Sequence, residues 1–97
     1  MYGTVAKLKA LPGALEAIRV MESRRPPGFV ASYVYQADAD PSELWFVVLF
    51  ESQADYDANA ASPAQNEEYW TLRHLLAEDP QWHDGFVIFD SHENQDG

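Results

Sequence analysis

The sequence predicts an α+β domain whose elements run β-α-β-β-α-β. Three observations carry this expectation. The stretch Leu44-Trp45-Phe46-Val47-Val48-Leu49-Phe50 is apolar on every side and flanked by turn signals, so it reads as a strand and is too short to span a membrane as a helix. Pro12-Gly13, Pro26-Pro27-Gly28, Asp40-Pro41-Ser42 and Asp79-Pro80 divide the rest of the chain into short units. Between these breaks the apolar residues alternate at strand spacing in some units and recur at helical spacing in others.

Strand one is expected over Tyr2–Ala10, with Ala6 and Leu8 on one face and Lys7 and Lys9 on the other. Pro12-Gly13 ends it and opens a helix near Ala14–Arg24. There Leu15, Ile18 and Met21 follow the helical period, and Arg24 and Arg25 suit the negative end of the dipole. Pro26-Pro27-Gly28 stops that helix. Strand two is Phe29–Ala37, with Phe29, Ala31, Tyr33 and Tyr35 sharing one face. Strand three, near Leu44–Glu51, forms a hairpin with it.

Ser52 is the expected N-cap of a short helix through Tyr56 to Ala61, with Asp55 favourable in its first turn. Ser62-Pro63 caps and opens a longer helix to about Glu78. Asp84-Gly85 leads into a last strand, Phe86–Asp90, and Ser91–Gly97 forms a frayed polar tail. This order is the ferredoxin-like arrangement. Right-handed crossovers place both helices on one face of a four-stranded antiparallel sheet and leave the other face bare. Strand three points Trp45, Val47 and Leu49 one way and Phe46, Val48 and Phe50 the other. A sheet covered on one side alternates apolar with polar residues, and this strand does not. The second cover is most simply another copy of the chain, so a homodimer is expected.

Composition narrows the function. Ninety-seven residues fit one domain spanning 1–97, burying roughly 60–65% of its unfolded surface, so a partner that adds core is valuable. The chain is 46% hydrophobic and has no cysteine, which excludes thiolate nucleophiles, disulfides and zinc–thiolate or iron–sulfur centres. That fits a reducing cytoplasm. No signal peptide and no membrane span are visible, and a net charge of −10 argues against nucleic acid. Five of the six basic residues lie in the first 25 positions. Arg73 is the only cation after them, against fourteen acids.

Several motifs carry a family resemblance over nearly the whole chain. They are Pro26-Pro27-Gly28-Phe29 and Leu49-Phe50-Glu51-Ser52-Gln53-Ala54-Asp55-Tyr56, then Ala61-Ser62-Pro63 and His83-Asp84-Gly85. Through these the chain resembles the antibiotic biosynthesis monooxygenase family of small dimeric α+β barrel proteins. The resemblance implies a homodimer whose two sheets close into a barrel, with a cavity between sheet and helices in each subunit. It also implies oxidation of polycyclic phenols or quinols by O₂ without metal or flavin. Such chemistry asks the protein chiefly to bind, deprotonate and shield an electron-rich phenol. Another branch degrades haem with an Asn on strand one, a Trp on the short helix and a His on the long helix. Here strand one has no Asn, Asn59 stands in place of the Trp and Tyr69 in place of the His, so haem degradation is the weaker expectation.

The candidate residues each carry two readings. Tyr69, Leu72 and Leu76 form the core face of the long helix, flanked by Trp70, Arg73 and Ala77. Tyr69 is either core with its hydroxyl satisfied or a catalytic pocket group. Asn59, in Asp57-Ala58-Asn59-Ala60, is either a local cap or a ligand contact. Arg73 has no acid at i±3 or i±4. It either stacks on Trp70 or pairs across the fold or the dimer, or it anchors a carboxylate or phenolate, with Trp70 beside it. Tyr33 and Tyr35 are core, dimer interface or substrate contacts. His74, His83 and His92 have no metal-ligand spacing, so no metal is expected. His74 is solvated and His92 lies in the tail. His83 is held by Asp84 or caps the strand, or it serves as base if its loop reaches the pocket.

These features lead to a cofactor-independent monooxygenase-like protein acting on a small aromatic molecule. The rival is a non-catalytic dimeric module that binds an apolar molecule in the same pocket.

Overall fold

The computed structural model describes residues 1–21 and 25–91. Four strands form one antiparallel sheet in the order β2-β3-β1-β4: β1 Tyr2–Lys9, β2 Phe29–Gln36, β3 Glu43–Phe50 and β4 Gln81–Phe86. Three helices join them: α1 Leu15–Arg19, α2 Gln53–Ala60 and α3 Pro63–Arg73. This is the ferredoxin-like arrangement, with its central strands β1 and β3 paired from Tyr2↔Phe50 to Lys9↔Glu43.

The register separates the two faces. Tyr2, Thr4, Ala6 and Leu8 of β1 share the helix-covered face with Phe50, Val48, Phe46 and Leu44 of β3. Val5, Lys7 and Lys9 share the outer face with Val47, Trp45 and Glu43. Tyr2, Thr4, Ala6 and Leu8 are buried, whereas Val5 is 40% exposed. The inner face is packed at both ends. At one end Ala6, Leu8, Ala10, Ala14, Ile18, Leu44 and Leu76 form an aliphatic core. At the other, Tyr2, Phe50, Tyr56, Phe86 and Phe29 meet edge to face at centroid distances of 4.8–6.1 Å, the geometry that aromatic quadrupoles favour. Helix α2 packs on β1 and β3, and α3 packs on α2.

Local signals explain the joints. Gly13 and Gly28 adopt φ +80, which glycine reaches without a Cβ clash. The Gly28 carbonyl accepts from Glu51 N at 2.8 Å, tying the start of β2 to the end of β3. Ser52 and Ser62 cap α2 and α3 by accepting from Asp55 N and Gln65 N. Asp40 braces the β2–β3 turn by accepting from Ser42 N and Oγ and from Lys9 Nζ at 2.8 Å. The Lys9 bond and the Ser42 bonds hold the Asp40 carboxyl down to about 2.

Four elements depart from the sequence reading. Helix α1 stops at Arg19, where Val20 N bonds Glu16 O as the C-cap. Two apolar turns before a Pro-Pro-Gly break are too few to propagate a helix. The Arg24 part of that expectation falls outside the described residues, and Arg25 stands 5.8 Å from the Phe29 ring. Helix α3 ends at Arg73 rather than Glu78, because residues 75–77 bond back to the end of β1. Leu11 N bonds Leu75 O, Ala77 N bonds Lys9 O at 2.7 Å, and Ala10 forms a bridge with Leu76. A bulge between Phe29 and Ala31 turns β2 over. Phe29 therefore faces inward with Phe50, while Ala31, Tyr33 and Tyr35 lie opposite Leu49, Val47 and Trp45 on the outer face.

The largest departure is β4. It occupies Gln81–Phe86 and pairs Tyr2↔Phe86, Thr4↔Asp84 and Ala6↔Trp82, so Asp84-Gly85 lies inside the strand rather than before it. Val87, Ile88 and Phe89 follow the strand, with Ile88 96% and Phe89 79% exposed. The tail expected over Ser91–Gly97 lies outside the described residues from His92 onward.

Candidate functional site

Between the packed ends of the inner face lies a cavity of about 790 Å³. Every strand and every helix contributes to its wall. Leu8, Phe46, Val48, Val34, Ile18 and Leu72 supply apolar surface. The aromatic wall comes from Phe29, Phe50, Tyr69 and Trp82, with the Tyr69 and Trp82 rings 6.4 Å apart. A largely apolar cavity with a few placed polar groups is the usual form of a small-molecule site.

The polar groups fall into two sets. On the helix side, Asn59, Gln65, Asn66 and Glu68 border the cavity. Asn59 Nδ2 donates to Gln65 Oε1 at 3.3 Å, and the Asn59 carbonyl accepts from Ser62 Oγ. On the sheet side stand Thr4, Ser32 and Asp84, with Tyr56 and Asp57 of α2 above them. The Tyr56 hydroxyl donates to Asp84 Oδ1 at 3.0 Å. Thr4 is 2% exposed and its Oγ1 has no hydrogen-bond partner of good geometry.

Electrostatics follow from this placement. Burial first, then the hydrogen bond to Asp84 and that carboxylate's charge, push the Tyr56 phenol up to about 12. A favourable contact from the Thr4 side chain to the phenolate and the nearness of Tyr2 are smaller influences of opposite sign. Burial, Asp84 and Asp57 also raise Tyr2. Tyr56 is therefore a neutral donor at any ordinary pH. Three acids, Asp57, Glu68 and Asp84, line the cavity against one cation among the described residues, Arg19, whose Nη1 lies 3.1 Å from Glu16 Oε2.

The residues singled out in the sequence divide sharply. Asn59 and Tyr69 both border the cavity. Tyr33 borders it at the edge strand, yet it lies opposite Val47 on the outer-face register and is 62% exposed. Tyr35, 64% exposed and opposite Trp45, lies away from the cavity. His83 pairs with Val5 on the outer face, so the base position proposed for it does not reach the cavity. Trp70 stacks edge to face on Tyr69 at 5.1 Å outside the lining, and is 52% exposed. Arg73 also lies outside the lining. Its Nε donates to Asp79 Oδ1 at 2.7 Å and its Nη1 to the Leu76 carbonyl at 3.1 Å. The partner is thus six residues away, beyond the end of the helix, where a search of i±3 and i±4 cannot find it.

The cavity residues outside the sequence-derived candidates include Thr4, Tyr56, Trp82 and Asp84. Thr4 had a signal, because it is a polar residue in phase with Ala6 and Leu8 on the core face of strand one. Trp82 and Asp84 were hidden by the apolar run at Val87–Phe89, which drew the last strand five residues too late.

The family model described as "Antibiotic biosynthesis monooxygenase" matches residues 1–67. The chain belongs to the antibiotic biosynthesis monooxygenase family. No curated protein matches the sequence. Among solved structures, the chain resembles SnoaB, a cofactor-independent oxygenase from Streptomyces nogalater, with a TM-score of 0.79 at 14% identity. The match covers 95% of this chain and 97% of that one. A protein provisionally called an antibiotic biosynthesis monooxygenase from Nitrosomonas europaea aligns with TM-score 0.73 at 19% identity over 92% of this chain and 100% of that one. A similarly named protein from Chloroflexus aurantiacus aligns with TM-score 0.67 at 26% identity over 92% and 96%. Among the described residues no helix is long and apolar enough to cross a membrane, and no group of three or more His, Asp or Glu could hold a metal ion.

Two outcomes test this geometry. Arg73→Met removes the link from the end of α3 to Asp79 and Leu76, so it lowers unfolding free energy by about 1 kcal/mol and leaves affinity for cavity ligands unchanged. Denaturant melts paired with ligand titrations check this, and selective loss of anionic ligands would return Arg73 to the site. For Tyr56, the raised phenol favours the neutral folded state below pH 10, and that contribution is lost as pH climbs from 10 to about 12. Tyr56→Phe should therefore delete the latest step of the phenolate absorbance titration. Loss of a step at pH 10 instead would mean that the Tyr56–Asp84 bond does not form in solution.

Proposed function

We propose that this protein is a cofactor-independent monooxygenase-like member of its family that takes a small phenol- or quinol-type aromatic molecule. The observation that carries the reading is the cavity of about 790 Å³, walled by Phe29, Phe50, Tyr69 and Trp82 and dotted with Asn59, Gln65 and Tyr56. A flat apolar ring system fits such a wall. An electron-rich phenol can donate electrons to O₂ directly, so the protein's part is to hold it, keep water away and manage its proton. Asn59 and Tyr69, from two different helices, are the groups proposed to position it. The match in family, and the likeness to a fold that includes a cofactor-independent oxygenase, support this reading. The cysteine-free sequence supports a reducing, cytoplasmic setting.

The reading includes a homodimer. The outer face carries Val5, Tyr33 and Tyr35 at 40%, 62% and 64% exposure, with Val47, Leu49 and Trp45 between them. Ile88 and Phe89 add further exposed apolar surface just past β4. A chain with a net charge of −10 gains little by showing that surface to water. Joining two such faces buries about 2,000 Å².

One observation favours the rival reading of a binding module. Arg19, the one cation on the described cavity wall, is already paired with Glu16, so a phenolate intermediate has little cationic support. The haem-degrading reading has less support, because no described residue lining the cavity is a histidine.

Sedimentation at micromolar concentration should show only dimer, and Val47→Asp should yield monomer or unfolded chain. Phe46→Asp and Val48→Asp should instead damage the cavity side, because both face the helices. A stable wild-type monomer would sink the dimer. For activity, anthrone and naphthoquinol-type phenols should drive oxygen uptake by metal-stripped, flavin-free protein. Saturable binding of every phenol with no uptake above the buffer rate would leave the binding module as the function.

A further inference from the structure

Strand pairing places one polar rung across the floor of the cavity. Thr4 lies opposite Asp84 on one side and Val48 on the other, and Ser32 lies opposite Val48 in turn. The rung therefore reads Asp84, Thr4, Val48, Ser32 from edge to edge, and all four border the cavity. The neighbouring rungs are apolar: Phe86, Tyr2 and Phe50 on one side, Trp82, Ala6, Phe46 and Val34 on the other. Of this rung only Thr4 is fully buried, and a buried polar group is costly unless it finds a partner. The Tyr56 hydroxyl engages one Asp84 oxygen, Oδ1. Thr4 Oγ1 is buried beside the Tyr56 hydroxyl but makes no hydrogen bond of good geometry with it.

We infer that this rung recognises a neutral ligand through its hydroxyl group, which gives a hydrogen bond to the Asp84 carboxylate and shares another with the Thr4 hydroxyl. This deepens the proposed function and rests on the cavity being the ligand site. The spacing supports it: side chains on adjacent strands stand about 5 Å apart, so one hydroxyl oxygen can sit within reach of both Thr4 and Asp84. The fused rings would lie on Val48 and Phe46 toward Ser32, about two strand spacings away, where a second hydroxyl could bond. The charges fix the protonation state of the ligand. Asp84 and Asp57 stand on this side of the cavity, and the one cation of the described wall, Arg19, is paired with Glu16. A protonated hydroxyl is an asset to the carboxylate, a methyl ether offers it no hydrogen, and an anion is repelled. Tyr56 holds Asp84 in place and stays protonated, so it acts as a positioning residue.

The test titrates the full chain at pH 7 with 1-naphthol, 1-methoxynaphthalene and 1-naphthoate, following intrinsic tryptophan fluorescence. Naphthol should bind about fivefold or more tightly than its methyl ether, as one added hydrogen bond implies, and naphthoate more weakly than either. Thr4→Val, which keeps side-chain shape, should narrow the naphthol advantage while leaving the ether unchanged. Asp84→Asn should admit naphthoate. Equal binding of naphthol and ether overturns the inference and leaves the cavity reading intact; no binding of any of the three overturns both. Tightest binding by naphthoate, or a Thr4→Val protein with higher melting temperature and an unaltered preference, also overturns it. Asp84→Asn reads the charge effect independently should Thr4→Val fail to fold.

Discussion

Strand β3 needs two covers, and the rest of the structure answers that need. Its inner residues Leu44, Phe46, Val48 and Phe50 face the helices, while Trp45, Val47 and Leu49 face out. Three short helices, about seven turns in all, leave part of the inner side unfilled. They meet the sheet closely at an aliphatic end around Leu8 and Leu44 and at an aromatic end around Tyr2 and Phe50, and they leave the middle open. The cavity is thus a consequence of pairing a broad sheet with short helices. Its walls are apolar because β3 has no polar alternative to offer.

The inner face also explains where polarity enters. In the middle of an otherwise apolar surface, β1 contributes Thr4, β2 Ser32 and β4 Asp84, all in one rung. Ser32 and Asp84 keep contact with solvent at the cavity edge, which lowers the cost of their polarity, whereas Thr4 is buried. Tyr56 closes over this rung and is itself gripped by Tyr2 and Phe50 at 5.1 and 5.8 Å. The raised phenol of Tyr56 follows from that enclosure and from Asp84.

The sequence announced the topology, because Pro and Gly breaks, serine caps and apolar spacing are local signals. Ser52 and Ser62 cap α2 and α3 where the sequence places them. Asn59 and Tyr69, each given both a structural and a pocket reading from the sequence, border the cavity. What escaped was set by non-local pairing. The bulge at Phe29–Ala31 shifts β2 by one residue, which is enough to send Tyr33 and Tyr35 to the opposite face from Phe29. Val87-Ile88-Phe89 has stronger strand propensity than Gln81–Phe86, yet β1 pairs with the latter. Propensity ranks a segment alone, whereas the register of β1 decides which segment joins the sheet.

Arg73 shows the same lesson in charge rather than shape. As the only cation after residue 25 it invites a functional reading, because an acidic protein needs local positive charge to hold an anion. The fold uses it differently. Once residues 75–77 leave the helix to bond with the end of β1, the Leu76 carbonyl needs a donor and Asp79 swings within 2.7 Å. Arg73 satisfies both and is removed from the cavity. What remains facing the ligand space is an acid-rich wall with a neutral tyrosine donor. The ligand we propose is therefore neutral rather than anionic, and the difference traces to a helix that ends five residues early.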